Sequence, residues 1–498
     1  MSPPNQTETI AILSHGAAYG VPETPVEKRE THISIVFLVG ERAFKLKRAV
    51  TFSYLDFSTI ELRRRSCEAE LRLGRTMAPS LYRAVHAVTR ATNGVLALDG
   101  AGETVDWLIE MRRFDEAALF DRMAIGDRLT PALVRDLADE IAAFHATAPP
   151  TPCWGTPDAV HAVIADIVAN LKRAGVFPAS EVATFADRLE VEFATHRSTI
   201  ERRNRDGRVR RCHGDLHLRN ICLLDGKPTL FDPIEFNDAI ASIDVFYDLA
   251  FLLMDLIHRD RRDLAAQVFN RYLDVTGDAG GLGLVPLHLG MRAAVRAHVT
   301  AAGGANDPAL NYFRLAQALM HPVPSRLIAI GGVSGAGKTT LAQAIAPQVG
   351  RAPGARVLRS DVIRKRLHGV APERRLPTSA YDASTNIRVY HMLGREAATA
   401  IGDGQAVIAD AAFLRADERA AIAAIANNAG VPFVGLWLDA PEAVLAQRLS
   451  TRRGDASDAD VAVLRFQLGL DLGLIDWRRI DAASDGTGAA YAALAAIG

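Results

Sequence analysis

Apolar and polar positions alternate with a period of two over residues 33–39 and again around 43–47, with Gly40-Glu41 between them, which predicts a β-hairpin. A helix is expected from about Thr59 to Met77, and residues 84–89, 94–98 and 105–111 read as further strands. The first hundred-odd residues therefore predict a small sheet with one long helix. From Pro131 the period becomes helical. Leu137, Ile141, Phe144 and His145 share one face, and residues 159–174 and 181–200 repeat the pattern. A short hairpin is expected at 221–224 and 229–231, followed by more helices through Ala318. The prolines of His321-Pro322-Val323-Pro324-Ser325 cannot continue a helix and mark a boundary. A linker this short predicts neighbouring domains that touch. Beyond it, residues 326–331 form a continuous apolar strand, 340–349 read as a helix, and strands and helices then alternate to the end, the pattern of a parallel sheet covered by helices.

Length changes this picture by dividing it. A chain of 498 residues, 49% of them apolar, exceeds one hydrophobic core and supplies about three to four folding units. The expected division is an N-terminal extension over 1–24, a two-lobed domain over 25–320, a linker at 321–325 and a compact domain over 326–498. A net charge of −1 argues against a broad electrostatic footprint for nucleic acid or an anionic membrane. The polar start and the lack of a long uninterrupted apolar segment lead us to expect a soluble, cytoplasmic protein with no membrane partner. Cys67, Cys153, Cys212 and Cys222 have no metal-type spacing and are too few for a disulfide framework, so buried, reduced thiols are expected.

Two phosphate-handling patterns lie on these elements. Gly332-Val333-Ser334-Gly335-Ala336-Gly337-Lys338-Thr339 has the full spacing of a phosphate-binding loop, between a strand and a helix that opens near Thr340. Its glycines let backbone N–H groups curl around phosphates, Lys338 reaches the β/γ oxygens, and the Thr339 hydroxyl is suited to Mg²⁺. Downstream, Ser360-Asp361 puts a carboxylate at the carboxyl end of a strand, beside the crevice where α/β proteins bind ligands. Asp361 is suited to an acceptor hydroxyl, to water-mediated Mg²⁺, or simply to capping the next helix. Arg364 follows it as a candidate for an anionic substrate group. Residues 406–410 form a second buried strand ending in Asp410, where an acid would organise Mg²⁺. Arg448, Arg452 and Arg453 follow the strand at 433–438 and could close over a nucleotide, or line a solvated helix.

The second pattern is His213-Gly214-Asp215-Leu216 followed by Asn220, which keeps the Asp-to-Asn spacing of the protein-kinase catalytic loop with Gly214 in place of Arg. The spacing lets Asp215 face an acceptor hydroxyl while Asn220 turns back toward Mg²⁺, and Asp232, ending the strand at 229–231, is the candidate second metal ligand. Lys45 would contact the nucleotide phosphates, with Glu70 on the following helix as its ion-pair partner. Alternation leaves Lys47 as a rival to Lys45, and Glu68 as a rival to Glu70.

Residues 325–498, through the glycine loop, Ser360 to Lys365, Val407 to Ala411 and Arg452 to Ala459, resemble the small P-loop kinases related to gluconate kinase. That resemblance implies transfer of the ATP γ-phosphoryl group to a small-molecule hydroxyl under an arginine-bearing lid. Residues 25–318 resemble the aminoglycoside phosphotransferase family through Phe44 to Lys47, His213 to Asn220, Phe231 to Phe236, and Asp244 with Asp248-Leu249-Ala250. That resemblance implies a two-lobed protein-kinase-like fold in which Asp248 braces the catalytic loop. Two features depart from protein kinases: Glu30-Thr31-His32 carries no glycines, and Asp232 is followed by Pro-Ile-Glu rather than Phe-Gly. The tandem order resembles bacterial proteins that fuse these two kinases.

The expected fold is thus an α+β protein-kinase-like two-lobed fold followed by an α/β P-loop NTPase domain with a parallel sheet. The expected activity is ATP- and Mg²⁺-dependent phosphoryl transfer to small hydroxylated substrates. The catalytic set is Asp215, Asp361, Lys338, Arg448 and Arg452. Nucleotide contacts are Lys45, Glu70, Gly332, Ser334, Gly335, Ala336, Gly337, Lys338, Thr339 and Thr340, and the metal set is Asn220, Asp232, Thr339 and Asp410. The competing readings are a nucleotide-binding regulatory fusion with one active module, a polynucleotide 5′-kinase, and a protein kinase. The absence of a basic, aromatic-interleaved stretch argues against nucleic acid as substrate.

Overall fold

The structure, a computed structural model, describes residues 6–52, 54–451, 456–483 and 486–497. It divides into two compact units, one of residues 1–155 and 207–249 and the other of 156–206 and 250–498.

The first unit opens with helix α1 (Thr7–Leu13) and a sheet built from β1 (Val26–Glu30), β2 (Ser34–Val39) and β3 (Arg42–Lys47). A two-stranded ribbon, β4 (Thr51–Phe52) and β5 (Leu55–Asp56), leads to α2 (Ile60–Met77), and β6 (Tyr82–Arg90), β7 (Leu96–Leu98) and β8 (Glu103–Arg112) complete the main sheet. Its order is β1-β2-β3-β8-β6-β7, antiparallel throughout. The hairpin expected at Gly40-Glu41 forms with Val39 opposite Arg42. Residues 7–24 pack rather than trail: Leu13 and Tyr19 are buried with Ile35, Phe37, Phe44, Leu46 and Leu108. Helix α2 starts where Thr59 Oγ1 accepts from Leu62 N at 3.2 Å. Its buried stripe, Arg63, Ser66, Cys67, Glu70, Gly74 and Met77, recurs at helical spacing but carries two charges, and Arg63 answers Asp106 at 2.7 Å. Helices α3 (Phe120–Ile125) and α4 (Pro131–Thr147) follow.

Helices α5 (Pro157–Ala174) and α6 (Ala179–Arg205) belong to the second unit. The chain then returns to the first for β9 (Val209–Arg211), the hairpin β10 (Ile221–Leu224) and β11 (Lys227–Leu230), α7 (Asp238–Ala241) and β12 (Ser242–Asp244). Helix α8 (Val245–His258) starts in the first unit and ends in the second, where α9 (Arg262–Thr276), α10 (Val285–Ala302) and α11 (Asn306–Leu319) complete the helical layer.

The rest of the second unit is α/β. In chain order come β13 (Leu327–Gly331), α12 (Lys338–Ile345), β14 (Arg356–Arg359), α13 (Ser360–Leu367), α14 (Ala383–Gly402), β15 (Val407–Asp410), α15 (Ala416–Ala429), β16 (Phe433–Asp439), α16 (Glu442–Thr451), α17 (Val461–Leu468), β17 (Arg478–Asp481) and α18 (Gly486–Ile497). The five strands are parallel in the order β14-β15-β13-β16-β17, with Ile328, Ile330, Val357, Ile408 and Leu436 in the core. Helix α9 closes the open edge of β14. The Asn270 amide donates to Ala355 O at 3.0 Å and accepts from Val357 N at 2.7 Å, the two bonds a neighbouring strand would make. Arg356 pairs with Asp274 at 2.7 Å alongside.

Among the described residues no helix is long and apolar enough to cross a membrane. Of the thiols expected to be buried, Cys67, Cys212 and Cys222 are, while Cys153 is exposed. It sits in the turn at 151–155, where its neighbours Pro152 and Trp154 are exposed as well.

Candidate functional site

In the first unit, charge gathers between β3, α2 and the segment after β11. Lys45 is buried, pairs with Glu70 Oε1 at 3.0 Å, and also bonds Asp232 Oδ1. Lys47 lies on the same face and bonds the other Glu70 oxygen and Glu235. The rivalry between the lysines thus has no single winner, because Glu70 bridges both. Glu68 takes no part: it is turned outward against Arg64 at 2.9 Å. Burial works against the charge on Lys45, yet Asp232, Glu70 and Glu235 outweigh it and hold its pKa well above the ordinary lysine value. Lys47 is raised against burial in the same way by Glu235 and Glu70.

The catalytic-loop pattern folds around a buried carboxylate. Asp248 accepts from Gly214 N at 2.8 Å, His213 N at 3.1 Å and the His145 ring at 3.1 Å. Cys212 lies close to His145 and Asp248, and this buried trio has metal-ligand proximity. Its groups are already engaged, however, with the Cys212 thiol donating to Ile243 O at 3.4 Å, so the trio is a brace. Gly214 is required where a protein kinase has Arg. Its φ is +83°, and a Cβ there would meet Ala241 Cβ and Ile234 Cδ1 at 3.2 Å.

Asn220 Nδ2 donates to the Asp215 carboxylate and carbonyl, both at 2.9 Å, which fixes the pair the spacing predicted. His217 Nε2 lies 3.3 Å from the same carboxylate. His213 Nε2 donates to Phe231 O at 2.9 Å, tying the loop to the strand that delivers Asp232. Burial pushes the His213 pKa below the ordinary histidine value. Asp232 has a φ of +61°, uncommon for a residue other than glycine, and its side chain is 41% exposed. Two lysines face the three carboxylates of Glu70, Asp232 and Glu235. This leaves an excess of negative charge beside Asp232, and the side-chain oxygens of Asn220 and Asp232 are hard donors of the kind Mg²⁺ takes.

In the second unit the loop 332–337 leaves β13 and enters α12 at Lys338. Gly332 and Gly335 have φ of +140° and +85°, and Cβ atoms there would lie 2.7 Å from Leu438 O and 2.8 Å from Leu445 O. Lys338 Nζ donates to the loop carbonyls Gly332 O at 2.8 Å and Val333 O at 3.0 Å. Thr339 Oγ1 donates to Asp410 Oδ2 at 2.6 Å, so the expected hydroxyl and acid meet, and both are hard oxygen donors suited to Mg²⁺. Burial raises the Asp410 pKa, against the pull of Arg359, Lys338 and Thr339. The amide of Ser334 donates to Gln467 Oε1 at 2.7 Å, a contact that no motif announced.

Asp361 lies in the first turn of α13 at the end of β14, and the cap position itself is Arg359. Arg364 turns inward instead of toward a ligand. Its guanidinium donates to Ala380 O at 3.1 Å and Asn386 Oδ1 at 2.7 Å and lies 4.7 Å from the Tyr381 ring centroid, bracing residues 380–386. Arg448 on α16 donates to Ala482 O at 2.7 Å, and its Nη1 would stand 3.8 Å from a Cβ on Gly337, which puts it beside the loop. Arg452 and Arg453 lie outside the described residues. Asp458 gathers three donors that sequence reasoning did not find: Lys365, Tyr381 Oη at 2.6 Å and Leu376 N at 2.9 Å.

Residues 55–283 match the family model described as the phosphotransferase enzyme family, and residues 327–469 match the one described as an AAA domain. An uncharacterized protein of Mycobacterium bovis is 29% identical over 463 residues, which are 90% of each chain. Among solved structures, aminoglycoside 2′-phosphotransferase-IIIa in its GDP complex is similar over 64% of this chain and 99% of its own, at 15% identity and a TM-score of 0.40. A gluconokinase from Sinorhizobium meliloti is similar over 36% and 93%, at 23% identity and a TM-score of 0.26. The family models therefore give the chain a phosphotransferase-family domain of protein-kinase-like fold followed by a P-loop kinase domain with a five-stranded parallel sheet.

Proposed function

We propose that this chain, in which a phosphotransferase-family segment precedes a P-loop kinase segment, transfers the γ-phosphoryl group of ATP to hydroxyls of small molecules at two separate sites. The observation that carries the reading is the convergence of Lys45 on Glu70 and Asp232, with Asp232 following Phe231, whose amide donates to Asn220 O at 3.0 Å and so joins it to the Asp215–Asn220 pair. Three stretches of the sequence, around residues 45, 70 and 215–232, supply these groups, and a structural brace has no need of an exposed carboxylate at its centre.

In the first site Lys45 neutralises the nucleotide phosphates, held in position by Glu70. Asp215 orients the acceptor hydroxyl and takes its proton as the hydroxyl oxygen bonds to the γ-phosphorus. The bond from that phosphorus to the β–γ bridging oxygen breaks, and ADP leaves. Asn220 and Asp232 would hold Mg²⁺, which when bound neutralises charge on the phosphates. In the second site the 332–337 amides and Lys338 would cradle the phosphates, with Gly332, Ser334, Gly335, Ala336, Gly337 and Thr340 lining the turn. Thr339 and Asp410 would hold Mg²⁺, Asp361 would face the acceptor, and Arg448 would cover the transferring group. The work is positioning and charge stabilisation in both sites.

The test is incubation with γ-labelled ATP, Mg²⁺ and a pooled set of hydroxylated metabolites, with products identified by mass. A labelled small molecule that disappears with Asp215→Asn or Lys338→Ala is the expected result. Label found only on protein or on oligonucleotide ends would overturn the small-molecule reading.

A further inference from the structure

Gln467 stands in the phosphate loop. The Ser334 amide is one of the donors that a nucleotide phosphate would use, and it already donates to Gln467 Oε1 at 2.7 Å. The Lys338 ammonium is likewise turned onto the loop's own carbonyls. The helix that carries Gln467 is fastened on both sides. Ahead of α17, Asp458 is held by Lys365, Tyr381 and Leu376, and Asp460 caps the helix by accepting from Val463 N at 3.0 Å. Within it, Leu464 is buried in the core of the unit. Beyond it, the buried Arg419 of α15 donates to Leu472 O at 2.7 Å and Leu474 O at 3.1 Å. The strap therefore stays in place while the Gln467 side chain, only partly buried and ending in rotatable bonds, is free to swing.

We propose that Gln467 is a latch that occupies the phosphate position of the P-loop when no nucleotide is bound and sets the affinity of that site. The inference rests on reading residues 332–339 as a nucleotide-phosphate site and names its regulation. An amide oxygen is a neutral acceptor, whereas a phosphate oxygen is charged and makes the stronger, charge-assisted bond, so nucleotide displaces Gln467. Entry then forfeits the Gln467 bond, whose net worth is that of one ordinary hydrogen bond. The latch weakens binding of substrate and product nucleotide alike, which speeds release and keeps the empty loop ordered.

The experiment is calorimetric titration of the full-length chain with MgATP, comparing wild type, Lys338→Ala, Gln467→Ala and Gln467→Glu. The binding component that Lys338→Ala removes belongs to the P-loop. For that component Gln467→Ala is expected to lower Kd about three- to tenfold, the reach of one net hydrogen bond. Gln467→Glu is expected to raise Kd roughly tenfold or more, because a carboxylate grips the Ser334 amide harder and repels phosphate. Unchanged or weaker binding in Gln467→Ala overturns the latch. If Lys338→Ala removes no component at all, the reading of the site falls instead.

Discussion

At the residue scale, the charge cluster on β3 and α2 makes the sharpest distinction between neighbours in sequence. Glu70 is fully buried between two lysines, whereas Glu68 lies at the surface. Glu70→Gln should cost about 3–5 kcal/mol of unfolding free energy, as removing one partner of a buried charge network does. Glu68→Gln should stay within about 0.5 kcal/mol, and urea midpoints measure both. Sequence could not separate them, because both lie on the helix that follows the lysines and only the buried stripe tells them apart. His213 carries a pH prediction. Its folded pKa lies below the ordinary value of 6.5, so its contribution is complete above 6.5 and is lost as pH falls through the depressed folded value. Protonation would also cost Nδ1 its acceptor role toward Asp215 N, 3.3 Å away. The thermal midpoint should drop between pH 7.5 and 5.5, and His213→Gln should reduce that drop. An equal drop in the variant would place the acid sensitivity elsewhere. Gln467 had no legible signal, since a single polar residue on an amphipathic helix belongs to no spacing rule.

At the element scale, strands and helices with strong periodicity were legible and their junctions were not. The hairpin at Gly40-Glu41, helix α2 and the strand before the P-loop appear within a residue or two of the expected bounds, whereas α12 ends at Ile345, four residues short of the expected end, where a tighter turn at Ala346–Gln348 takes over. Helix α12 opens at Lys338, two residues early, because Gly337 in the left-handed region already serves as its cap. Strand β1 went unread because its residues, Val26 to Glu30, are mostly charged and exposed, as suits an edge strand. The pairing of α9 with β14 was invisible too, since it works through one side-chain amide. Asn270→Asp should destabilise the second unit by about 1–3 kcal/mol, because it replaces the donor to Ala355 O with a repelling carboxylate. Asn270→Ala should cost less than Asn270→Asp, and guanidinium midpoints would order the two. Asn270→Asp at wild-type stability would contradict the edge-pairing account.

At the scale of the whole molecule, linear order and compact units diverge. The sequence marks a boundary at residues 321–325, where the chain does run without helix or strand between α11 and β13. Yet α5, α6 and the helices from α9 to α11 fall in the same compact unit as the P-loop sheet. No periodicity encodes which helix a sheet edge will choose. What the sequence did make legible was a set of side-chain pairs: Lys45 meets Glu70 and Asp215 meets Asn220 in one unit, and Thr339 meets Asp410 in the other. The central claim is that both groupings transfer phosphoryl groups. The most direct test is label transfer from γ-labelled ATP by wild type, Asp215→Asn, Lys338→Ala and the double variant. The account predicts that each single change removes a different labelled product, with a loss of roughly 10²–10⁴-fold for Asp215→Asn, and that the double variant removes both. If Lys338→Ala abolishes all transfer while Asp215→Asn changes nothing, the first unit is not a working kinase and the two-site account is contradicted.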